Sequence, residues 1–268
     1  MALMEVHYSS FAMGSNISLN VFVPTPGSSE AITDINASPK YDYRRGLPVL
    51  YLLHGAFGDA FSWIRYSNID RYAQDRGIVV VMASAENSFY QNLKGGRRYY
   101  DFFTEELPTF IQNVFPVSRD PARTYIAGFS MGGYGAWYLA NRRPDLFSKA
   151  ASMSGALNIA AVISNPLEGV FPFESAFADV RDQDGSYRME GSRYDLKTLI
   201  AENHQRGCLP RLYQAVGKKD ILYEDNLAMR DWVRSQGIAL TYEEGSGTHD
   251  WDFWDEYIRH ILDWLLED

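Results

Sequence analysis

Thr124-Tyr125-Ile126-Ala127-Gly128-Phe129-Ser130-Met131-Gly132-Gly133-Tyr134-Gly135-Ala136 is the stretch on which the reading of this chain turns. An apolar, β-prone run passes straight into G-x-S-x-G and then into a helix-compatible stretch, so a serine stands at a sharp turn between a buried strand and a helix. Small residues at 128 and 132 suit such a turn, because strand and helix pass too close there for side chains. The backbone amides that follow then point toward Ser130. In isolation G-x-S-x-G is only a glycine-rich turn; between a buried strand and a helix it marks Ser130 as a nucleophile.

Outward from this turn, short and nearly unbroken apolar runs recur at residues 48–53, 78–82, 149–153, 211–216 and 238–243. Strands buried on both faces look like this. Helical stretches alternate with them at 68–76, which Ser67 can cap and Gly77 can close, and at 101–114, where Pro108 must sit in a first turn or at a kink. Two more follow at 222–235 and 251–266. The alternation predicts an α/β fold with a mostly parallel central sheet and helices on both faces. An alternating run at 17–23, with the run around 5–8, predicts an antiparallel N-terminal hairpin. Residues 24–46, rich in Pro, Gly, Ser, Asp and Asn, read as a long surface loop without chemistry. The rhythm breaks between Gly155 and Pro210, an interval too long for a plain crossover. It is expected to form a small cap within one domain spanning 1–268, and it brings Phe171, Phe173 and Phe177 close together.

A serine hydroxyl is a weak nucleophile at neutral pH and needs a base, held in turn by an acid. At elbows of this type the partners follow in the order serine, acid, histidine. Among the five histidines, His249 lies in Gly245-Ser246-Gly247-Thr248-His249-Asp250, a glycine-rich loop expected to be flexible, between the last strand and the final helix. His204 and His260 are its competitors; His7 belongs to the hairpin, and His54, at the end of a core strand, reads as a structural hydrogen-bonding residue. For the acid, Asp220 follows the strand at 211–216, with Glu224 and Asp225 as neighbours better suited to the first turn of a helix. Charge developing on a carbonyl oxygen needs amide donors. One is expected from Met131, directly after the nucleophile, and the other from Ala56 or Phe57, in the loop after residues 53–55. Trp63 is expected to pack beneath that loop.

Composition narrows the partners. With 25 Lys and Arg against 34 Asp and Glu, the net charge of −9 argues against a sequence-independent grip on nucleic acid or an anionic membrane. A small-molecule ester is the expected partner, and homo-oligomer formation is left open. Cys208 is the only cysteine, so no intrachain disulfide forms, and it reads as a bystander thiol. No apolar run approaches the ~18 residues of a membrane span, the start has no basic flank, and a cytoplasmic location is the default expectation. No H-E-x-x-H or His/Cys ligand spacing occurs, so no metal is expected.

Three segments together resemble the esterase D-like branch of the α/β-hydrolases, bacterial tributyrin and acetyl esterases in particular. They are Leu52-Leu53-His54-Gly55-Ala56-Phe57-Gly58 with Trp63, Ala127 to Gly135 around Ser130, and Gly247-Thr248-His249-Asp250-Trp251 with Trp254. Gly217-Lys218-Lys219-Asp220-Ile221-Leu222-Tyr223 is similar to that group's acid-bearing segment. The resemblance implies an α/β-hydrolase fold and cofactor-free hydrolysis of short-chain acyl esters, including acetylated or feruloylated sugars. The same branch holds S-formylglutathione hydrolases, so a thioesterase is the alternative; a non-catalytic ligand-binding homologue is a remoter one, since serine, acid and histidine are all on hand.

Overall fold

The computed structural model describes residues 1–26, 41–164 and 170–267. Residues 27–40 of the expected surface loop, and Asn165-Pro166 in the 155–210 interval, lie outside the described residues.

Strands β1 (Ala2–Ser10) and β2 (Ser15–Val23) pair antiparallel, with Val6 opposite Leu19, as the two-residue periodicity of the opening predicts. β3 (Val49–Leu53) leads through α1 (Ser62–Tyr66) and α2 (Ile69–Arg76) to β4 (Val79–Ala83). Gly77, in the left-handed region at φ 67°, closes α2, and the Ser67 hydroxyl takes the Ile69 amide at its start. α3 (99–114) contains a wide turn at Phe102–Glu106 just before Pro108, which admits a residue without an N–H into the helix. β5 (Thr124–Phe129) runs into α4 (Met131–Arg142). β6 (Lys149–Met153) is followed by α5 (Ile159–Ser164), α6 (Phe173–Ala176) and α7 (Leu196–Gln205). The chain ends with β7 (Arg211–Gly217), α8 (Tyr223–Ser235), β8 (Leu240–Gly245) and α9 (Trp251–Leu265).

The eight strands among the described residues form one sheet in the order β1-β2-β4-β3-β5-β6-β7-β8, parallel from β4 to β8. Side chains of the inner strands divide between two cores. Val49, Tyr51 and Leu53 pack on one face, and Leu50 and Leu52 on the other with Trp63, Ile258 and Ile261. Covering both faces explains why these strands read as continuous apolar runs. α7 lies within the 155–210 interval and packs on α4, where the Asn203 amide donates to the Asn141 carbonyl at 2.7 Å. It thus serves as the crossover helix between parallel β6 and β7.

The order matters for chemistry. β3 and β5 are neighbours, yet the chain leaves β3 toward β4 on one side and leaves β5 toward β6 on the other. A crevice opens above the carboxyl ends of the two strands at such a switch point. His54 follows β3 there, and Ser130 follows β5.

Candidate active site

Ser130 has φ 55° and ψ −121°, a conformation that L-residues with a side chain rarely adopt. Four backbone hydrogen bonds hold it. Its amide donates to Met153 O at 2.9 Å, and its carbonyl accepts from Gly133, Tyr134 and Ala156 at 3.0–3.2 Å. The two flanking glycines are needed sterically. A Cβ at Gly128 would lie 2.4 Å from the Gly132 carbonyl oxygen, and one at Gly132 would lie 2.5 Å from that of His54. Beneath the turn, Phe129 stacks on Trp254 at 4.1 Å and meets Trp63 and Trp251 edge-on.

His249 reaches this serine from the loop after β8, with Nε2 2.9 Å from Ser130 Oγ. Its Nδ1 lies 3.0 and 3.1 Å from the two carboxylate oxygens of Asp220. The Asp220 side chain is fully enclosed, whereas His249 keeps 21% of its exposure. Burial works against the charge of Asp220, but hydrogen bonds from His249, from Ser154 and from the Leu222 amide outweigh it and hold the carboxyl below the usual carboxylate range. An ionised acid beside Nδ1 keeps the ring proton there, so the Nε2 lone pair faces the serine hydroxyl and can take its proton. The loop expected to be flexible is instead laced to the acid loop, because the Lys218 and Lys219 amides donate to the Gly245 and Gly247 carbonyls at 2.9 Å. Its glycines answer a lack of space: a Cβ at Gly245 would meet the Tyr257 hydroxyl at 2.2 Å, and one at Gly247 the Phe253 ring at 2.6 Å.

The competing residues lie elsewhere. His260 pairs with Glu243 at 2.8 Å, His7 bonds Ser18, and His204 is exposed at the end of α7. Glu224 and Asp225 occupy the first turn of α8, where Asp225 accepts from Asn158 at 3.0 Å. Sequence reasoning missed Ser154, which directly follows β6 at φ 47°. Its hydroxyl accepts from the Trp254 indole at 3.1 Å and donates to Asp220. Nothing in Ser152-Met153-Ser154-Gly155 distinguishes it from the serine two places earlier.

The loop after β3 is equally well determined. His54 is buried, and its Nε2 accepts the Ala85 amide at 2.8 Å, so the ring proton must sit on Nδ1, which donates to Gly55 O at 2.7 Å. Burial lowers its pKa and keeps it neutral. It is therefore a structural hydrogen-bonding residue. Trp63 lies below, donating to Leu53 O at 3.1 Å. Of the two amides expected to face the crevice, that of Phe57 already donates to Asn87 Oδ1 at 2.9 Å, which favours Ala56 for the oxyanion pair. Met131 begins α4, where an amide has no partner within the helix. Among the three phenylalanines, Phe173 and Phe177 are buried, and only the half-buried Phe171 reaches the Phe57 ring, at 6.4 Å.

The esterase family model matches residues 32–265. An acetyl esterase from Caldicellulosiruptor saccharolyticus is 29% identical, across 99% of this chain and 98% of that protein. Among solved structures, the fluorophosphonate-binding serine hydrolase F of Staphylococcus aureus superposes with a TM-score of 0.86 at 28% identity, covering 100% of this chain and 99% of the other. The S-formylglutathione hydrolase FrmB of the same organism gives 0.82 at 28% identity, with 99% of each chain covered. No helix among the described residues is long and apolar enough to cross a membrane. The sheet, the strained serine and the match over most of the sequence lead to one assignment: the chain belongs to the esterase family and is a serine carboxylic ester hydrolase of the α/β-hydrolase fold.

Proposed function

We propose that the protein hydrolyses short-chain acyl esters, acetyl to butyryl, through an acyl-enzyme on Ser130. The observation that carries this reading is the hydrogen-bonded line from Ser130 Oγ through His249 to the enclosed carboxylate of Asp220. Ser130 Oγ attacks the ester carbonyl as His249 takes its proton, and the carbonyl oxygen becomes an anion held by the amides of Met131 and Ala56. His249 then returns the proton to the leaving alcohol. Water, deprotonated by the same imidazole, releases the acid and restores Ser130. The short-chain preference draws on the similarity to an acetyl esterase and on Phe57, in the oxyanion loop, with Phe171 facing it at 6.4 Å. Acetylated or feruloylated sugars fit the same chemistry.

A second reading, an S-formylglutathione hydrolase-like thioesterase, is favoured by the likeness to FrmB. Rates on p-nitrophenyl esters of increasing acyl length, beside acetylated xylan oligomers, methyl ferulate and S-formylglutathione, separate the two. A fluorophosphonate should label Ser130 in the native protein and fail to label Ser130→Ala. Full activity in Ser130→Ala refutes the acyl-enzyme, and a preference for octanoyl or longer esters refutes the short acyl site.

A further inference from the structure

The loop after β4 carries an unusual amount of strain. Glu86, Phe89 and Tyr90 have φ values of 49°, 52° and 61°, and in the facing loop Phe57 has 61°. Four non-glycine residues in the left-handed region persist only where their surroundings over-determine them. Hydrogen bonds within and between the two loops supply that determination, and three of those that cross between them flank Ala56. Ala85 N–H donates to His54 Nε2, the Tyr90 hydroxyl donates to the His54 carbonyl at 2.7 Å, and Phe57 N–H donates to Asn87 Oδ1. The first two hold the chain just before the Ala56 amide, and the third holds it just after. His54 and Tyr90 are wholly buried and belong to the core, whereas Asn87 is half-buried. Its other end, Nδ2, donates to Val170 O at 3.3 Å, beside Phe171. With the donor end spent there, the acceptor end is turned toward Phe57.

We infer that Asn87 is a positioning residue for the oxyanion hole: it fixes Phe57, through Phe57 the direction of the Ala56 N–H, and it ties that direction to the chain at Val170. The inference rests on the reading of Ala56 and Met131 as oxyanion donors. Donors aimed in advance at developing charge stabilise the transition state without reorganising, while the ground-state ester gains little from them. Releasing the loop therefore lowers kcat and spares KM. A side chain that only shaped a turn would lower stability and leave the two kinetic constants unchanged.

The test uses p-nitrophenyl butyrate turnover and inhibition by butylboronic acid. When the inhibitor binds, Ser130 Oγ bonds to boron, the serine proton passes to His249, and the tetrahedral boronate places an oxygen in the oxyanion site. Asn87→Ala should lower kcat roughly 10- to 100-fold, a fraction of the loss for deleting a donor outright, and weaken the boronic acid by a similar factor while KM moves less than about threefold. Asn87→Asp keeps an acceptor for Phe57 N–H and should retain more of kcat than the alanine variant. Turnover and boronic acid affinity both within about twofold of the parent in Asn87→Ala overturn the inference, as does a loss of kcat with affinity unchanged. Native protein indifferent to the boronic acid, or active as Ser130→Ala, overturns the proposed function along with it.

Discussion

Replacing Asp220 with asparagine should disable the enzyme without unfolding it, and the geometry gives the reason. The Leu222 amide donates to Asp220 Oδ1 at 2.8 Å and will demand an acceptor from any replacement. In Asp220→Asn the carboxamide oxygen must stay at that amide, which puts the NH₂ at the place of Oδ2, 3.1 Å from His249 Nδ1. The retained oxygen also lies 3.0 Å from Nδ1, but a neutral carboxamide holds the Nδ1 proton far less strongly than a carboxylate does, and its NH₂ would face that N–H at 3.1 Å; the ring relieves this by giving up the Nδ1 proton and accepting from the NH₂. The ring proton moves to Nε2, where it points at Ser130 Oγ across 2.9 Å. The imidazole then holds its proton on the side where it must receive one. Wrong-tautomer variants of serine–histidine–acid relays lose roughly 10⁴-fold in kcat, or about 5 kcal/mol of barrier. The two side chains have nearly the same volume, so the enclosed site keeps its packing. Measured on p-nitrophenyl butyrate, kcat should fall by that factor while the thermal midpoint moves by only a few degrees, and fluorophosphonate labelling should slow in parallel. Asp225→Asn serves as the control and should be nearly silent. A loss below about tenfold in Asp220→Asn, or an equal loss in the control, would refute the role of this carboxylate.

Ser154→Ala deletes a donor to Asp220 and strands the Trp254 indole, so kcat/KM should fall roughly 10- to 150-fold, the scale of one hydrogen bond to a charged group; an unchanged value would show that Asp220 does not need it. Phe171→Ala should shift the acyl-length optimum toward longer chains with acetyl turnover nearly intact, whereas Phe177→Ala, wholly buried, should cost about 3 to 5 kcal/mol of stability and leave the optimum alone. The reverse pattern in that pair would place the acyl group elsewhere. Because the Asp220 pKa is depressed by folding, its ionised form contributes stability above the unfolded value of about 3.9, and that contribution is lost as pH falls through the lower folded value. Urea midpoints of the parent and Asp220→Asn should therefore keep their separation down to about pH 4 and converge below it; a separation still undiminished at pH 2.5 would contradict the shift.

Much of the site was legible because its signals are local. The strand, G-x-S-x-G and helix around Ser130, and the positions of Asp220 and His249 after the last two strands, are matters of order along the chain. Where the reading slipped, a spatial cause was at work. Ile238 is apolar and buried, so it read as the start of a strand; yet pairing begins only at Leu240, opposite Leu212, and Ile238 is buried by packing after the turn. Gly245 and Gly247 read as a sign of mobility, although a Cβ at Gly245 would meet the Tyr257 hydroxyl and one at Gly247 the Phe253 ring. Phe171, Phe173 and Phe177 were recognisable as a cluster, but a helix of four residues, Phe173–Ala176, is too short for periodicity to say which of them faces the site. Asn87 gave no signal, because its partners, Phe57 and Val170, are 30 and 83 residues away.

Ser154 shows most clearly how topology can create a functional neighbour that no motif announces. The serine follows β5 and the acid follows β7, so two strand spacings separate the strand ends, roughly 10 Å. An imidazole with hydrogen bonds of 2.9 and 3.0 Å at its two nitrogens bridges roughly 8 Å, so the relay nearly spans that gap above the sheet. β6 lies between the two strands and ends at Met153, directly beneath the span. Whatever residue follows Met153 must therefore pass under the carboxylate. Ser154, at φ 47°, donates its hydroxyl to Asp220 and accepts from the Trp254 indole. Given this sheet order, the place directly after β6 is where a donor to the buried acid has to be sought.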